Sequence, residues 1–504
     1  MQNTKKFSLA ILTDIHYGLP SVLPQRRSEI ADILLLRAVH RLNRFIRPDV
    51  TLVLGDLVED VTVPDVSEHM AHLRAILDKL DSPTIVIPGN HDGDVEAFYH
   101  VFERPETMED IGGIRFLPFI DREEPGFNAS RSAADIARFR AARSDYDGPI
   151  VALQHVSLAP PEQVDIPYNY TNAQAIVAAM AESGVALSIG GHHHVGAPLL
   201  RTEHSTFVNA PALCEAPFYF LIVTLAGEHI TMERHQLAMP EGLHLVDNHI
   251  HTQLAYCAED VTVERAVALA QDFGLVGIGF VEHSGQLYFD RPRYWGRQAF
   301  QEGIAGAREA DNRLPDYLAL KRAFANDTLR FGLEVDCDYH GNPLLRAEDR
   351  RHVDFLTGAI HGLPSEKMPG VTRETLEGEF FTLLQRFLKS GIHILAHPFR
   401  IFRKAGWEPP EALFLPVAKL MCEYQVAAEI NFHGNEPPPD FVRTCLDLGV
   451  KLSLGSDTHN LYEIGEFAPH LQLLQDIGFN GDIADVLLSK PAYVKISKTE
   501  GGKT

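Results

Sequence analysis

A chain of 504 residues is longer than one ordinary hydrophobic core accommodates, and at roughly 100–250 residues per domain it is expected to fold as two or three. Hydrophobic residues make up 45% and aromatic side chains recur throughout, which excludes a disordered or low-complexity protein. A formal net charge of -23 disfavours long polyanions, because a nucleic-acid binder must neutralise several phosphates. Small phosphate esters stay open to it, since the local charge of bound metal ions outweighs a distant surface field.

At the N-terminus, Lys5-Lys6 precedes the apolar run Phe7 to Leu12, which is too short for a secretion signal and leads into Asp14. No segment approaches the roughly 20 apolar residues of a membrane span, so a cytoplasmic protein without a membrane partner is expected. The five cysteines, Cys214, Cys257, Cys337, Cys422 and Cys445, are scattered and lack CxxC spacing. A disulfide framework is therefore not expected, and a reducing compartment is.

Through residues 1–236, strand-length apolar runs share one kind of ending. Ser8–Leu12 leads to Asp14 and His16, Val50–Leu54 to Asp56, and Thr84–Ile87 to Asn90, His91 and Asp92. Ile150–Leu153 leads to His155, and Ala186–Ile189 to His192, His193 and His194. Continuous rather than alternating apolar runs predict strands covered on both faces. Helices are predicted between them, for example over Ser28–Phe45 and Val66–Leu80. In α/β layers the loops after strand C-termini form the ligand crevice, so these endings are expected on one rim. Carboxylates and imidazoles there suit hard or borderline divalent ions, and one carboxylate can bridge a pair.

This ordered set resembles the calcineurin-like metallophosphoesterase family across the whole first half. The resemblance implies a four-layer αββα sandwich, with Asp14, His16, Asp56 and His194 holding one ion and Asp56, Asn90, His155 and His192 the other. It further implies that His91 contacts substrate and assists leaving-group departure, with Asp92 orienting it. Ser/Thr protein phosphatases of that superfamily carry an arginine soon after Gly-Asp and a glutamate after Asn-His. This chain reads Gly55-Asp56-Leu57-Val58-Glu59-Asp60 and Asn90-His91-Asp92, which is more similar to small-molecule phosphodiesterases. His193 is either a donor behind the ligands or a structural residue.

A boundary falls near Gln236–Gly242, and over residues 244–504 the pattern becomes an alternation of strand and helix. Seven strands are predicted: Leu245–His251, Val276–His283, Leu329–Asp336, Phe355–His361, Ile392–His397, Ala427–Asn431 and Lys451–Asp457, separated by helix-length segments. That rhythm predicts a parallel barrel, whose C-terminal rim carries the chemistry. The rim residues are His249, His251, Glu282, His283, Glu334, His361, His397, Asp457 and His459, with Glu429 and His433 near the sixth strand.

In order and spacing this half resembles the polymerase-and-histidinol-phosphatase (PHP) family, which implies a distorted (β/α)7 barrel. By that resemblance His249, His251, Glu334 and Asp457 hold one ion, Glu334, His361 and His397 a second, and His283 and His459 contribute to a third. Many members carry a histidine where this chain has Cys257, and a serine where it has Ala359. Cys257 is either a thiolate ligand or an inert buried thiol. An insertion after the second strand gathers Tyr288, Arg291, Arg293, Tyr294, Trp295 and Arg297, either as substrate contacts or as a solvated lid. Arg400, just beyond His397, is the stronger phosphate-clamp candidate. His40, His69, His72, His204 and His235 lack any partner pattern and are expected to be ordinary surface or core residues.

Taken together, the sequence predicts an α/β metal-dependent phosphoesterase acting on a small phosphodiester, with phosphomonoesterase capability in one site. Two Mn, Fe or Zn ions are expected in the first half and two or three in the second. A small-molecule phosphate ester is the expected partner, no nucleic acid is expected, and the oligomeric state is left open. Two alternatives stand beside this reading: only one half is catalytic and the other regulatory, or the chain is a nucleic-acid processing nuclease.

Overall fold

A computed structural model of the chain describes residues 6–160, 163 and 166–488. The chain divides into two compact units, Met1–Pro240 and Glu241–Thr504.

The first unit contains strands β1 (Phe7–Leu12), β2 (Val50–Leu54), β3 (Thr84–Ile87), β4 (Glu109–Ile111), β5 (Ile114–Pro118), β6 (Arg122–Glu124) and β7 (Asn128–Ser130). They are followed by β8 (Ile150–Leu153), β9 (Leu187–Gly190), β10 (Leu200–Arg201), β11 (Thr206–Asn209), β12 (Tyr219–Ala226) and β13 (His229–Gln236). One sheet runs β13-β12-β1-β2-β3, a second runs β10-β11-β9-β8-β5-β4, and β6 and β7 form a separate ribbon.

Alternate side chains point to opposite faces of a strand. Leu9, Ile11, Leu52, Leu54, Ile85 and Ile87 of the first sheet therefore meet Phe116, Val151, Leu153, Leu187 and Ile189 of the second in one buried core. Behind the second sheet, Leu117, Ala152 and Phe207 pack with helices Ala133–Arg143 and Ala173–Glu182 through Phe139, Ile176 and Met180. On the first sheet's other face, Ala10, Leu12, Thr51 and Val53 are also buried, and helices Ala31–Arg41 and Val66–Leu77 bury Leu34, Ala38, Leu73 and Ile76. Four layers result because every central strand is apolar on both sides. The five predicted strands are β1, β2, β3, β8 and β9, with parallel registers such as Leu9 beside Val50, Leu52 beside Ile85 and Val151 beside Leu187.

The second unit is a seven-stranded parallel sheet in chain order: β14 (Val246–Ile250), β15 (Gly277–His283), β16 (Leu329–Asp336), β17 (Leu356–Ala359), β18 (Ile394–Leu395), β19 (Ala427–Asn431) and β20 (Leu452–Gly455). The ring closes just past the first and last strands, where Asp457 N donates to the His249 carbonyl (2.8 Å) and His251 N to the Thr458 carbonyl (3.1 Å). Threonine caps start two crossover helices: Thr262 Oγ1 accepts from Arg265 N and Thr372 Oγ1 from Thr375 N, each at 3.3 Å. The β16–β17 connection departs from the predicted alternation. It carries one 3₁₀ turn, Arg350–His352, because Asp338-Tyr339-His340-Gly341-Asn342-Pro343 favours a tight turn over a helix.

Arg131 ties the second helical layer to the crevice below it. Its side chain is fully buried, its Nε and Nη2 donate to Asp121 at 2.9 and 2.6 Å, and its guanidinium lies 3.7 Å from the Phe119 ring centre. Removing one partner of such a pair strands the other charge in a water-poor site. Arg131→Ala is expected to lower the stability of this unit by about 3–5 kcal/mol in urea denaturation. A loss below about 1 kcal/mol, the scale of an exposed pair, would show that water reaches Asp121.

Candidate metal centres

In the first unit the loops after β1, β2, β3, β8 and β9 converge. Asp14 directs Oδ2 toward Thr13 Oγ1 (2.7 Å) and the His192 backbone N–H (3.0 Å), so Oδ1 is left buried without a hydrogen-bond partner. Asp56 Oδ1 accepts from His91 N (2.8 Å), which leaves Oδ2 between two rings, 3.5 Å from His16 Nε2 and 3.4 Å from His155 Nε2. On one side His194 Nε2 lies 3.3 Å from both Asp14 Oδ1 and His16 Nε2. On the other, His155 Nε2 is 3.1 Å from both Asn90 Oδ1 and His192 Nδ1. Ligand atoms about 2.1 Å from one ion, at tetrahedral or octahedral angles, lie roughly 3.0–3.4 Å apart. The seven residues thus form two donor sets of a kind that could hold divalent ions, and both sets include Asp56 Oδ2.

The far nitrogens of these rings are fixed. His16 Nδ1 meets Glu59 (3.0 Å), His194 Nδ1 meets Glu215 (2.6 Å), His155 Nδ1 the Leu54 carbonyl (2.6 Å) and His192 Nε2 the Phe127 carbonyl (3.0 Å). Such contacts set the tautomer and leave the other nitrogen's lone pair for a cation. Burial works against a charged His155, yet Asp56 beside it and Asp14 farther off hold the imidazolium up at about 10. Burial likewise opposes a charged His194, while Asp14 and Glu215 raise it to about 9. The pocket therefore attracts positive charge.

Asp92 does not take the position expected of it. Its carboxylate accepts from the backbone N–H groups of Leu57 (2.7 Å), Val58 (3.2 Å) and Gly89 (2.8 Å), while His91 Nδ1 meets the Glu59 carbonyl (2.9 Å). It joins the Asp56 and Asn90 loops, and what holds the His91 ring is backbone. Glycine permits that junction, since Gly55 has φ +90° and a Cβ there would run into the Gly89 backbone. His193 stays outside the donor set, with its ring 6.3 Å from that of Tyr168. A cleft of about 710 Å³ opens over the centre, walled by Leu23, Phe127, Tyr168 and Val195.

In the second unit, His249 Nε2 and His251 Nε2 each lie 3.6 Å from Glu334 Oε2, and 3.4 and 3.1 Å from Asp457 Oδ1. His249 Nε2 and Glu334 Oε2 are buried without hydrogen-bond geometry, as ligand atoms facing a shared ion would be. These four residues fit one ion. Behind them His249 Nδ1 contacts Glu429 (2.7 Å), and His251 Nδ1 contacts Glu282 (3.3 Å). A third cluster forms from His251, His283 and His459, all buried, with ligand atoms within 4.8 Å of one another. Cys257 Sγ sits 3.7 Å from His283 Nε2, and burial pushes its thiol up to about 12, which favours the inert reading.

The remaining corner differs from the expected three-ligand set. His361 Nε2 and His397 Nε2 lie 3.3 and 3.0 Å from Glu334 Oε1, but Arg400 shares that corner, with Nη2 2.7 Å from His397 Nε2 and 3.2 Å from His361 Nε2. Its Nη1 donates to Asp457 Oδ2 (2.6 Å). The insertion after β15 divides. Tyr294, Trp295 and Arg297 line a cavity of about 370 Å³ together with Lys367, Arg400 and Lys404. Arg293 turns instead to Glu302 (2.5 Å), Arg291 to the Tyr256 carbonyl (2.5 Å), and the buried Tyr288 hydroxyl to Asp349 (2.8 Å). Among the other histidines, His72 pairs with Asp32 (3.1 Å) and His235 lies 3.8 Å from Glu233. Residues the motifs did not point to are Glu59, Glu215 and Asp336, the last 2.7 Å from His361 Nδ1.

Two family models match the chain: a calcineurin-like phosphoesterase over residues 7–196 and a PHP domain over residues 247–433. A Deinococcus radiodurans protein described as "Probable histidinol-phosphatase" is 26% identical over 260 residues, covering 46% of this chain and 94% of that one. A "Probable phosphatase" of Clostridium novyi is 25% identical over 243 residues, covering 46% of this chain and 86% of the relative. Among solved structures, a dimetal phosphatase from Danio rerio aligns at 16% identity and a TM-score of 0.38, covering 46% of this chain and 96% of that one. Among the described residues no helix is long and apolar enough to cross a membrane.

The carboxylates behind the imidazoles make a direct test. Glu429→Gln is expected to weaken divalent-ion affinity of the second centre by about 10–100-fold, and Glu215→Gln that of the first by a similar factor. Equilibrium dialysis with elemental analysis reads this, and unchanged affinity in both variants would refute an orienting role.

Proposed function

Starting from a chain whose halves match a calcineurin-like phosphoesterase and a PHP domain, we propose that it is a metal-dependent hydrolase of small-molecule phosphodiesters. Its second centre would serve the phosphomonoester that the first releases. The observation that carries this reading is Asp56 Oδ2, one buried carboxylate oxygen set between two complete donor sets. A pair of ions a few ångströms apart is the arrangement in-line attack on phosphorus requires.

In the first centre Asp14, His16, Asp56 and His194 would hold one ion and Asp56, Asn90, His155 and His192 the other, with Mn, Fe and Zn all suited to the donors. Ions bound there supply Lewis acidity, bringing water's pKa toward neutrality and offsetting charge on the leaving oxygen. The protein's own groups position the rest. His91 commits Nδ1 to the Glu59 carbonyl (2.9 Å), which leaves Nε2 to donate a proton to the departing alkoxide. Asp92, by fixing the N–H groups of Leu57, Val58 and Gly89, holds the loops that present Asp56 and His91. Phe127 and Tyr168, whose ring centres are 6.1 Å apart, offer apolar surface to the organic substituent.

In the second centre His249, His251, Glu334 and Asp457 would hold an ion, with His283 and His459 contributing to another. His361 and His397 flank Arg400, whose positive charge at the lining of the cavity would favour a phosphate group there. A cavity of about 370 Å³ suits a monoester of modest size. The net charge of -23 favours a small ester over a nucleic acid.

Full-length protein carrying Asp56→Asn or Glu334→Gln separates the two activities. With bis(p-nitrophenyl) phosphate and p-nitrophenyl phosphate as probes, Asp56→Asn is expected to cut diester kcat/KM by at least about a hundredfold and spare the monoester. Glu334→Gln should do the reverse. Loss of both activities with one substitution and of neither with the other would select a single catalytic centre. A diester rate indifferent to Asp56→Asn would overturn the assignment of the first centre.

A further inference from the structure

We propose that Arg400 stands in for one divalent cation of the second centre, so that its guanidinium and an ion at the Glu334–His361–His397 corner exclude each other. This rests on the centre binding divalent ions at all, which the experiment below reads separately.

The two shared carboxylates divide their oxygens in the same way. Glu334 turns Oε2 toward His249 and His251, and Oε1 toward His361 (3.3 Å) and His397 (3.0 Å). Asp457 turns Oδ1 toward the same first pair of imidazoles, and Oδ2 toward Arg400 Nη1 (2.6 Å). One side of this arrangement is an all-ligand pocket, and on the other a guanidinium completes the ring. Asp457 therefore links the ion site to Arg400 directly, and Glu334 reaches the same corner through His361 and His397.

The nitrogens at that corner have no second lone pair to offer. His361 Nδ1 is committed to Asp336 (2.7 Å), so Nε2 is its free nitrogen, and Arg400 Nη2 lies 3.2 Å from it. His397 Nε2 lies 2.7 Å from the same Nη2. A guanidinium only donates, so each of these nitrogens meets it as an acceptor. An imidazole nitrogen that accepts an N–H cannot donate the same lone pair to a metal. The guanidinium cannot clear the corner by losing a proton, because it stays charged at any pH a protein tolerates. It is also held in place: Arg400 is 6% exposed, and Nη1 further donates to the His433 carbonyl (3.3 Å).

The test is a metal count. Full-length protein, stripped with chelator and dialysed against increasing Mn²⁺, is analysed for ions per chain in the wild type, Arg400→Ala, Arg400→Met, Arg400→Lys and Arg400→Ala with His361→Ala. Ions of the first centre are an internal reference for a folded chain, and Arg400→Met keeps the volume filled if the alanine variant does not fold. Both neutral variants are expected to bind one more ion per chain than the wild type, or their weakest ion at least about tenfold more tightly. Removing His361 should abolish that gain, and Arg400→Lys should fall between. Equal counts with affinities within about twofold, or an ion lost on neutralising Arg400, would overturn the proposal. Binding confined to the first centre in every variant would instead overturn the metal-centre reading of the second unit.

Discussion

Four carboxylates buried to 2% exposure or less, Asp14, Asp56, Glu334 and Asp457, set the terms for both units. An ionised carboxylate taken from water into a folded core is costly unless hydrogen bonds or opposite charge compensate it. Here the compensation comes from rings and cations delivered by separate strands, so the surrounding architecture exists to bring positive charge to fixed points. The backbone is bent to do so. Asp14, His16, Asp56, His192, His397 and Asp457 all have positive φ, between 30° and 66°, a region that costs a non-glycine residue about 1–3 kcal/mol. Strands locked on both faces hold these residues at their ends.

The two units reach one arrangement from unrelated scaffolds. In the sandwich, loops from both sheets meet across the crevice, and the oxygen between the two donor sets belongs to Asp56. In the barrel the strands run in chain order, and closure of β14 onto the residues after β20 brings His249 and His251 against Asp457. Both treat imidazole alike, with one nitrogen held by a carboxylate or carbonyl so the other faces the shared oxygen. His16 with Glu59 and His249 with Glu429 are the same device in different folds.

What the sequence made legible follows from that physics. A strand buried on both faces is an uninterrupted apolar run, so Val50–Leu54 and Ala427–Asn431 are observed with the predicted bounds, and the ligands stand out as polar residues just past such runs. Elements without that signature escaped. Strand β13, His229–Gln236, is an edge strand with mostly polar side chains and reads as loop, and the β16–β17 connection is helix-length but turn-rich. Glu59, Glu215 and Asp336 were hidden because a carboxylate behind a ring needs only to arrive in space, and no spacing marks it. For Asp92 the resemblance implied an orienting contact with His91, whereas its carboxylate accepts from three backbone N–H groups nearby.

Net charge and site charge pull in opposite directions, and the difference bears on what can enter. Across the chain acidic residues exceed basic ones by 23, yet Arg297, Lys367, Arg400 and Lys404 all line the cavity of the second centre. A field set by distant surface charge falls off within about 10 Å at ordinary ionic strength, whereas charges lining a low-dielectric pocket are screened little. A compact anion that fits inside feels the pocket and escapes most of the surface. A long polyanion cannot, because most of its charges lie outside over acidic protein. The same contrast explains why a guanidinium is tolerable beside the candidate metal ligands. Asp457 turns one oxygen to that corner, and Arg400 neutralises what would otherwise be uncompensated buried charge there before any substrate arrives.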